Sequence, residues 1–404
     1  CGYDKNYVGD VSRKLFKVLS EQLNENIDKY NFCWTIERAK NSQLLGLVNS
    51  HITWCVNTPK ADREQSITDE EKITKNTGYY DLTLAPKITH FCDRTTELQT
   101  LSHWLTTQNP RLISVLGLSG IGKTTLVKQF VDLNIQQFDV VIWKSIKLSP
   151  SLDTIITDIF ALINSESIPT DNKLTQLLNL LRQKRCLIIL DDVQELFTSG
   201  QLAGQYKTEY KDYKIFFTMV TEIEHQSSLI LLSQEQCQEM LCLDEELYPA
   251  KCLELEKLDN TEILKSLGLK DEESWLTLLN LYEGNPAYLK DVASLIKNLF
   301  LGKVSEFLTE DSLILTENMK SRFNELFERL SASEQQIVLE LSKYNQAVSR
   351  EDLRQALSLS SMDLINGLQS LQKRYLIKTI KGEKVEFNLS PVFREYVRAC
   401  RQDL

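Results

Sequence analysis

The residues from Gly117 to Thr124 read Gly-Leu-Ser-Gly-Ile-Gly-Lys-Thr, and their spacing, GxxxxGK[ST], is suited to holding a chain of phosphates. Glycines let backbone N–H groups turn toward an anion, because no Cβ blocks the approach. Lys123 would contact the β- and γ-phosphates, and the Thr124 hydroxyl would ligate Mg²⁺. The pattern predicts that the chain binds a nucleoside di- or triphosphate.

Residues 186–192, Cys-Leu-Ile-Ile-Leu-Asp-Asp, carry a second set of chemical groups. The apolar residues predict a buried strand, and two carboxylates follow at its carboxyl end, where open α/β sheets bind ligands. Asp191 would hold Mg²⁺ through water, and Asp192 would orient or deprotonate an attacking water. The candidate catalytic residues are therefore Lys123 and Asp192.

The elements around these motifs alternate between strands and helices. A helix should begin near Lys123, directly after the glycines, and its positive dipole end would face the phosphates. Continuous apolar runs separated by amphipathic helices predict an α/β fold, a parallel sheet covered by helices on both faces. The predicted strands are 111–117, 138–145, 185–191, 227–233 and 251–256.

The remainder of the chain divides into three further segments. Residues 259–327 show helical periodicity, and 328–404 combine helices with two strand-like runs, 376–380 and 384–388, joined by a charged turn. Helices with one terminal β-ribbon predict a winged helix. We expect five segments: 1–57 helical, 58–88 a polar linker, 89–258 a phosphate-binding sheet domain, 259–327 a helical subdomain and 328–404 a winged helix.

Residues 1–57 allow two interpretations. Apolar residues at helical spacing face away from basic ones, and Gly2-Tyr3 ahead of them is typical of the turn in a helix-turn-helix. That interpretation makes the segment a remnant helix-turn-helix that could contact DNA. The other interpretation is a basic amphipathic helix that packs on its own domain.

Composition restricts the class of protein. The chain has 404 residues with 42% hydrophobic and 25% charged residues, which is ordinary for a globular protein of several domains. Its net charge of −10 argues against a broadly basic nucleic-acid surface, though not against a local one. The nine cysteines form no CxxC pair, and no signal peptide or membrane span is present, so we expect a reduced cytoplasmic protein without zinc. Because residue 1 is Cys, the numbering is expected to begin inside a longer protein.

The motifs together resemble those of the STAND-class P-loop ATPases, in their NB-ARC family. Residues 91–98, Phe-Cys-Asp-Arg-Thr-Thr-Glu-Leu, are similar to the hhGRExxL motif that opens the family's nucleotide domain. Residues 284–286, Gly-Asn-Pro, resemble the GxP motif of its helical subdomain. Residues 203–213 resemble the cyanobacterial type, whose members often carry an N-terminal helix-turn-helix-like domain.

The resemblance implies a signalling switch whose ligands are ATP or ADP with Mg²⁺. Family members hold ADP in a closed form between the nucleotide domain, the helical subdomain and the winged helix. Exchange for ATP opens that form and allows the protein to assemble with itself. The family usually adds a repeat-built sensor after the winged helix, so a protein sensor or effector partner is also implied.

By the same resemblance, Pro286 lies against the adenine, and Phe91, Cys92 and Arg94 frame the base and ribose. From the residues alone, Pro286 could simply begin a helix, Phe91 could be a core residue, and Arg94 could form a surface ion pair. Ser390 aligns with a family histidine that contacts the ADP β-phosphate. The expected nucleotide-binding residues are Phe91, Cys92, Arg94, Gly117, Gly120, Ile121, Gly122, Lys123, Thr124, Thr125, Pro286 and Ser390, with Thr124 and Asp191 as the metal ligands.

Three departures from the family pattern affect the expected activity. Asp93 and Thr95 replace a Gly and a Glu of the opening motif. Gln234 stands where the family has an arginine that senses the γ-phosphate, and a neutral amide does not offset phosphate charge as a guanidinium does. Ser390 cannot carry the charge of a histidine. We therefore expect slow ATP hydrolysis and a less tightly held ADP state.

Two other functions remain open. The first is a DNA-binding transcription regulator that uses the helix-turn-helix and the winged helix; the basic face of residues 5–17 favours it and the net charge of −10 opposes it. The second is a scaffold that keeps nucleotide without hydrolysing it. Gln234 and Ser390 favour the scaffold, whereas Lys123, Thr124 and the two aspartates oppose it.

Overall fold

The computed structural model describes residues 78–88, 91–148, 151–163, 173–241, 250–310, 313–382 and 384–401. Residues 75–404 form one compact unit, and the description below concerns that unit. The interpretations of residues 1–57, and of the linker up to residue 77, lie outside the described residues. No helix in the described ranges is long and apolar enough to cross a membrane.

A six-stranded parallel sheet forms the first half of this unit, with strand order β1-β3-β4-β5-β2-β6. The strands β2, β3 and β5 are buried along their whole length, as expected for strands covered on both faces. All six carboxyl ends meet at one edge. The strands are β1 (Tyr79–Asp81), β2 (Leu112–Leu116), β3 (Val140–Ser145), β4 (Cys186–Asp191), β5 (Ser228–Ser233) and β6 (Ala250–Glu254).

The predicted α/β architecture is confirmed, and each of the five predicted strands is present with small shifts at its ends. The edge strand β1 was not predicted. It lies inside the segment that the sequence indicated as a linker, so a linker at 58–88 does not extend through residues 79–81. β1 pairs in parallel with β3, and its Asp81 carboxylate accepts a hydrogen bond from Lys144 Nζ at 3.0 Å. A run of three residues is too short to give a period-two signal.

Helices cover the sheet on both faces. The helices on one face pack against the sheet through residues such as Leu101, Leu126 and Phe130. The helices on the other face pack against it through residues such as Ile155 and Phe216. Full burial of each such side chain contributes about 1.5–3 kcal/mol. The helices are α1 (Thr95–His103), α2 (Lys123–Asn134), α3 (Leu152–Leu162), α4 (Lys173–Gln183) and α5 (Lys211–Glu222), with a π-helical turn at Trp104–Gln108 and 3₁₀ turns at Ile135–Gln137, Val193–Leu196, Thr208–Tyr210 and Gln238–Met240.

The second half of the unit is mainly helical and has a single core that runs from Leu258 to Val397. A small antiparallel sheet, in the order β7-β9-β8, packs among its last helices. Its hairpin corresponds to the predicted runs at 376–380 and 384–388, one residue later in each case. The elements are α6 (Glu262–Ser266), a 3₁₀ turn (Glu272–Ser274), α7 (Trp275–Leu281), α8 (Pro286–Leu299), α9 (Val304–Phe307), α10 (Glu317–Glu328), α11 (Ala332–Ser342), β7 (Val348–Ser349), α12 (Arg350–Ala356), α13 (Ser361–Lys373), β8 (Ile377–Lys381), β9 (Val385–Leu389) and α14 (Pro391–Cys400).

Local sequence sets the starts of these helices. Small polar residues precede them and accept hydrogen bonds from N–H groups of the first turn, which is the usual N-cap arrangement. At α11 the arrangement is a full capping box, because Glu334 also bonds back to the Ser331 N–H. The capping residues are Asn285, Thr316, Ser331, Ser349, Ser360 and Ser390.

Candidate functional site

The glycine-rich loop connects the buried strand β2 to the first turn of α2. Gly120 and Gly122 adopt φ values of 77° and 103°, which residues with a Cβ rarely reach. A Cβ on Gly120 would also collide with the side chain of Ala287. Ile121 is buried and fixes the middle of the loop in the core beneath it. The loop therefore has the strand, turn and helix context that was predicted for binding phosphates.

Lys123 lies at the first residue of α2 and points back into this loop. Its Nζ donates hydrogen bonds to the carbonyl oxygens of Gly117 and Leu118, at 2.8 and 2.9 Å. Burial lowers the pKa of Lys123 to about 8, although the charges of Asp191 and Asp192 act to raise it. A buried cation with only carbonyl partners is ready to accept an anionic partner, such as a phosphate.

The Thr124 hydroxyl and the Asp191 carboxylate meet at the carboxyl end of β4. Burial, followed by the charge of Asp192, raises the pKa of Asp191 to about 6, while hydrogen bonds from Thr124 and from the Asp192 N–H lower it. Hydroxyl and carboxylate oxygens suit Mg²⁺, which usually keeps waters and phosphate oxygens as its other ligands. The described residues contain no group of three or more His, Cys, Asp or Glu that could hold a metal by themselves. The pair fits a magnesium ion that is shared with a nucleotide.

Asp192 is held by donors on both of its carboxylate oxygens. Its Oδ2 accepts a hydrogen bond from Ser145 Oγ at 2.9 Å, and its Oδ1 accepts one from Gln194 Nε2 at 3.2 Å. The backbone at Asp192 has a φ of 59°, a left-handed conformation that is tolerated by Asp better than by most residues. The carboxylate is thus fixed in orientation beside Asp191.

A pocket with mainly apolar lining adjoins the loop, and we call it the apolar pocket throughout. It brings together residues from the opening motif, the glycine-rich loop and the Gly-Asn-Pro motif, although these segments are far apart in sequence. Five further lining residues were not predicted, because they lie in the helical half or just ahead of it and carry no chemical signature. Its lining residues are Phe91, Cys92, Arg94, Ile121, Gly122, Thr125, Leu258, Ile263, Ser266, Leu267, Pro286 and Lys290.

Arg94 is a buried wall of this pocket and not a surface ion pair. Its Nη2 donates to the carbonyl oxygens of Ile121 and Glu256, at 3.2 and 2.6 Å, and its Nη1 pairs with Glu97 at 2.5 Å. The guanidinium therefore ties the opening motif to the loop and to the residues after β6. The neighbouring Asp93 has a φ of 43°, which explains why the family has a glycine at that position.

The Gly-Asn-Pro motif contacts the glycine-rich loop directly. Asn285 Nδ2 donates to the carbonyl oxygen of Ser119 at 2.9 Å, and the Ala287 N–H approaches the Gly120 carbonyl at 3.3 Å. Asn285 Oδ1 also caps α8, whose first residue is Pro286. Asn285 is buried and is the main contact residue that the sequence did not single out. Its place directly before a proline, where a helix with proline at its first position has its N-cap, was the available signal.

Gln234 and Ser390 make contacts within the protein. The Gln234 N–H donates to Gln194 Oε1 at 3.3 Å, and Gln234 shares a second cleft with Ser119 of the loop and Arg329. Ser390 Oγ donates to a carboxylate oxygen of Glu283 at 2.5 Å, and it caps α14. Glu283 directly precedes the Gly-Asn-Pro motif. The structure thus joins Ser390 to that motif and shows no direct contact between Ser390 and the glycine-rich loop.

Comparisons with known proteins agree with this arrangement. Residues 94–244 match the family model described as NB-ARC domain, and residues 1–39 match the model described as vWA-MoxR associated protein N-terminal HTH. An uncharacterized WD repeat-containing protein of Nostoc sp. is 29% identical over 377 residues, which are 88% of this chain and 30% of that protein. A putative disease resistance protein of Arabidopsis thaliana is 28% identical over 149 residues, 36% of this chain and 10% of that protein.

A solved structure is also similar. The Walker-type ATPase of Pyrococcus abyssi superposes with a TM-score of 0.52 at 16% identity, over 76% of this chain and 96% of that one. At this identity the likeness concerns the fold alone. The chain spans less than a third of the length of the Nostoc relative, so features of that protein outside the matched segment do not transfer to it.

Proposed function

We propose, on the premise that residues 94–244 form an NB-ARC domain, that this chain is a nucleotide-controlled switch of the STAND class. It holds ADP in a closed form, exchanges it for ATP, and hydrolyses ATP slowly. One observation carries the proposal. Three segments that are remote in sequence, at Arg94, Gly122 and Pro286, line a single pocket beside the phosphate-binding loop. A pocket for a base next to a loop for phosphates is the arrangement that a nucleotide requires.

In this proposal each residue has a defined task. The base and ribose occupy the apolar pocket against Pro286 and Phe91, while Cys92, Thr125 and Arg94 complete its wall. The N–H groups of the loop, from Gly117 to Thr124, hold the phosphates, and Lys123 exchanges its carbonyl partners for phosphate oxygens.

The magnesium ion, when bound through Thr124 and Asp191, neutralises charge on the phosphates. Asp192 orients the attacking water and accepts its proton. Gln234 offers the terminal phosphate an amide and no charge, so the chain lacks one source of transition-state stabilisation. Hydrolysis below about one turnover per second is therefore expected, at the low end of enzyme rates.

We assign the domains as 89–258 for the nucleotide-binding domain, 259–327 for the helical subdomain and 328–404 for a winged helix. The winged-helix assignment is supported by helices α11 to α13, the β8–β9 hairpin and the order β7-β9-β8 of the small sheet. ATP binding releases the winged helix from the nucleotide domain and allows self-assembly. We place the protein in the cytoplasm and expect a protein sensor or effector as its partner.

A DNA-binding regulator is a second candidate function. The match of residues 1–39 to a helix-turn-helix model favours it, and the net charge of −10 opposes it. Binding to duplex DNA should then weaken steeply with salt, because phosphate contacts release counterions. A salt titration with labelled duplex separates this function from a switch that does not bind DNA.

The test of the main proposal is thermal unfolding with and without Mg²⁺–ADP or Mg²⁺–ATP. A ligand that binds only the folded state adds about 2.7 kcal/mol at one hundred times Kd, so the Tm should rise. Lys123→Ala should abolish most of that rise. Lys128→Ala is the matched control, since Lys128 lies in the same helix and pairs with Asp132. An equal rise in Lys123→Ala and wild type would place the nucleotide elsewhere.

A further inference from the structure

Gln194 lies in the 3₁₀ turn that follows the two aspartates of β4, and its side chain is almost fully buried. Both ends of its amide are used. Nε2 donates to Asp192 Oδ1 at 3.2 Å, and Oε1 accepts from the Gln234 N–H at 3.3 Å. One side chain therefore joins the carboxyl end of β4 to that of β5, across the edge of the sheet where the phosphates are expected.

The backbone of Gln194 continues this connection into the helical half of the unit. Its carbonyl oxygen accepts a hydrogen bond from Arg329 Nη2 at 2.6 Å, and Arg329 caps the end of α10. The same Nη2 lies 3.3 Å from Glu235 Oε2. A displacement of Gln194 would thus act on Arg329 through the shortest contact that Arg329 makes.

Arg329 belongs to a cluster of buried charges that we call the charged junction, consisting of Glu235, Arg329, Glu334 and Arg374. Arg374 pairs with Glu235 at 2.5 Å and with Glu334 at 3.0 Å. Glu235 comes from the nucleotide-binding half, next to Gln234, whereas the other three come from the helical half. The residue that faces the terminal phosphate in the proposed function is therefore adjacent in sequence to the ionic contact between the halves.

We propose that Gln194 is a positioning residue that couples the terminal phosphate to the charged junction. Its amide fixes Asp192 and residue 234 in one hydrogen-bonded unit, and its carbonyl passes a change in that unit to Arg329. Because Asp192 Oδ2 accepts a hydrogen bond from Ser145, the Asp192 carboxylate cannot rotate without breaking its hydrogen bond to Gln194. This inference rests on the proposed function, because it needs a nucleotide at the glycine-rich loop.

The variant that tests it is Gln194→Met. Methionine is similar in length and makes no such hydrogen bonds, so the volume is kept while the donor and the acceptor are lost. The backbone carbonyl stays. Gln137→Met is the control for the substitution itself, since the Gln137 side chain donates to Asn134 Oδ1 in an exposed turn that follows α2, at the end of that helix away from the glycine-rich loop.

Two readouts are measured with fluorescent ADP and a fluorescent non-hydrolysable ATP analogue, together with single-turnover hydrolysis of ATP. We expect Gln194→Met to bind ADP about as wild type does, and to change the ATP-to-ADP affinity ratio by about tenfold, within the usual range of coupling between sites. The rate of single-turnover ATP hydrolysis should also be lower in Gln194→Met than in wild type. Gln194→Glu keeps the acceptor for the Gln234 N–H but replaces the donor to Asp192 with a second negative charge, so it should not recover the hydrolysis.

A double-mutant cycle separates coupling from a structural role. Arg329→Met alone should also change the affinity ratio, and combining it with Gln194→Met should add little, because both interrupt one path. The inference would be overturned, while the proposed function stands, if the effects of the two variants on the ATP-to-ADP affinity ratio were fully additive. It would also be overturned if Gln194→Met had an affinity ratio within twofold of wild type. Wild-type protein that binds neither nucleotide would instead overturn the proposed function. If Gln194→Met does not fold, Arg329→Lys with the same readouts decides the matter.

Discussion

The apolar pocket and the charged junction are two contacts between the same halves of the molecule, and they are built from opposite chemistry. At the apolar pocket, Phe91 and Ile121 face Leu258, Ile263 and Pro286, mostly through hydrocarbon surface. At the charged junction, two carboxylates and two guanidiniums meet with little exposure to water. Apolar packing holds the two halves together at the apolar pocket, and paired charges hold them together at the charged junction.

The difference has a consequence for discrimination between ligands. Apolar contact is non-directional and depends on area, so a base in the apolar pocket contributes equally to ADP and ATP binding. Buried ion pairs depend on geometry and on every neighbouring charge. A terminal phosphate adds charge on the side of Gln234 and the charged junction. The apolar side should therefore contribute alike to ADP and ATP affinity, and the choice between ADP and ATP should be made on the charged side.

The strongest test of the charged side is Arg374→Met. Removing this guanidinium leaves Glu334 buried without its cationic partner and Glu235 with Arg329 alone, and breaking such a pair typically costs about 3–5 kcal/mol. Urea unfolding should show this loss, and the control Arg350→Met, at an exposed pair with Glu351, should cost less than about 1 kcal/mol. Neutralising both carboxylates as well, with Glu235→Gln and Glu334→Gln, should restore much of the stability. A loss below 1 kcal/mol for Arg374→Met would show that the junction does not hold the halves together.

The corresponding test of the apolar side is Asn285→Ala. This change removes the cap of α8 and leaves the Ser119 carbonyl without its donor, so stability should fall by about 2 kcal/mol. ADP and ATP affinity should decline together, with their ratio unchanged. The control is Thr316→Ala, which removes the cap of α10 away from the loop and should cost about 1 kcal/mol without affecting either affinity. A selective loss of ATP binding in Asn285→Ala would contradict the division between the two sides.

Gln234→Arg should increase the discrimination between ATP and ADP on the charged side. A guanidinium at this position makes a charge-assisted hydrogen bond to the terminal phosphate, so ATP should bind about tenfold more tightly relative to ADP, or turn over faster. Gln238→Arg adds the same charge at a nearby exposed residue and should leave the ratio unchanged. Calorimetric titration and a phosphate-release assay measure both quantities. Wild-type turnover well above one per second, with Gln234→Arg inactive, would refute the role of Gln234.

The smallest effect is expected at Glu283, which accepts hydrogen bonds from Ser390 Oγ and the Val392 N–H. Burial raises the pKa of Glu283 above its usual value, so folding favours its protonated form. The cost of ionising it is absent below the unfolded pKa and appears as the pH rises through the folded pKa. Glu283→Gln should therefore be more stable relative to wild type at pH 8 than at pH 4, by about 1 kcal/mol or less. An equal difference at both pH values would mean that Glu283 does not titrate in this range.

Much of the fold was predictable because its signals are local and repeated. The apolar runs of β2 to β5 are buried on both faces, and such strands differ clearly from the amphipathic helices between them. β1 was not predicted because three residues are too few to show an alternating pattern, and it is a strand through its pairing with β3. The HTH match at residues 1–39 agrees with one of the two interpretations given for that segment.

The candidate site was predictable where the backbone has special requirements and less so where only packing decides. Gly120, Gly122 and Lys123 have a spacing that few structures other than a phosphate-binding loop need. Leu258 and Lys290 reach the apolar pocket only through the fold of the helical half, so no sequence pattern indicates them. The charged junction was missed for the same reason, since Glu235 and Arg374 are 139 residues apart.

The edge strand β1 is attached to the sheet along one side, through β3. β1 is held by three residue pairs with β3 and by the ion pair between Asp81 and Lys144. β1 is also separated from β2 by β3, β4 and β5. Loss of this short strand would therefore break pairings of β3 alone and leave the pairings of β2, the strand that leads into the phosphate-binding loop, in place.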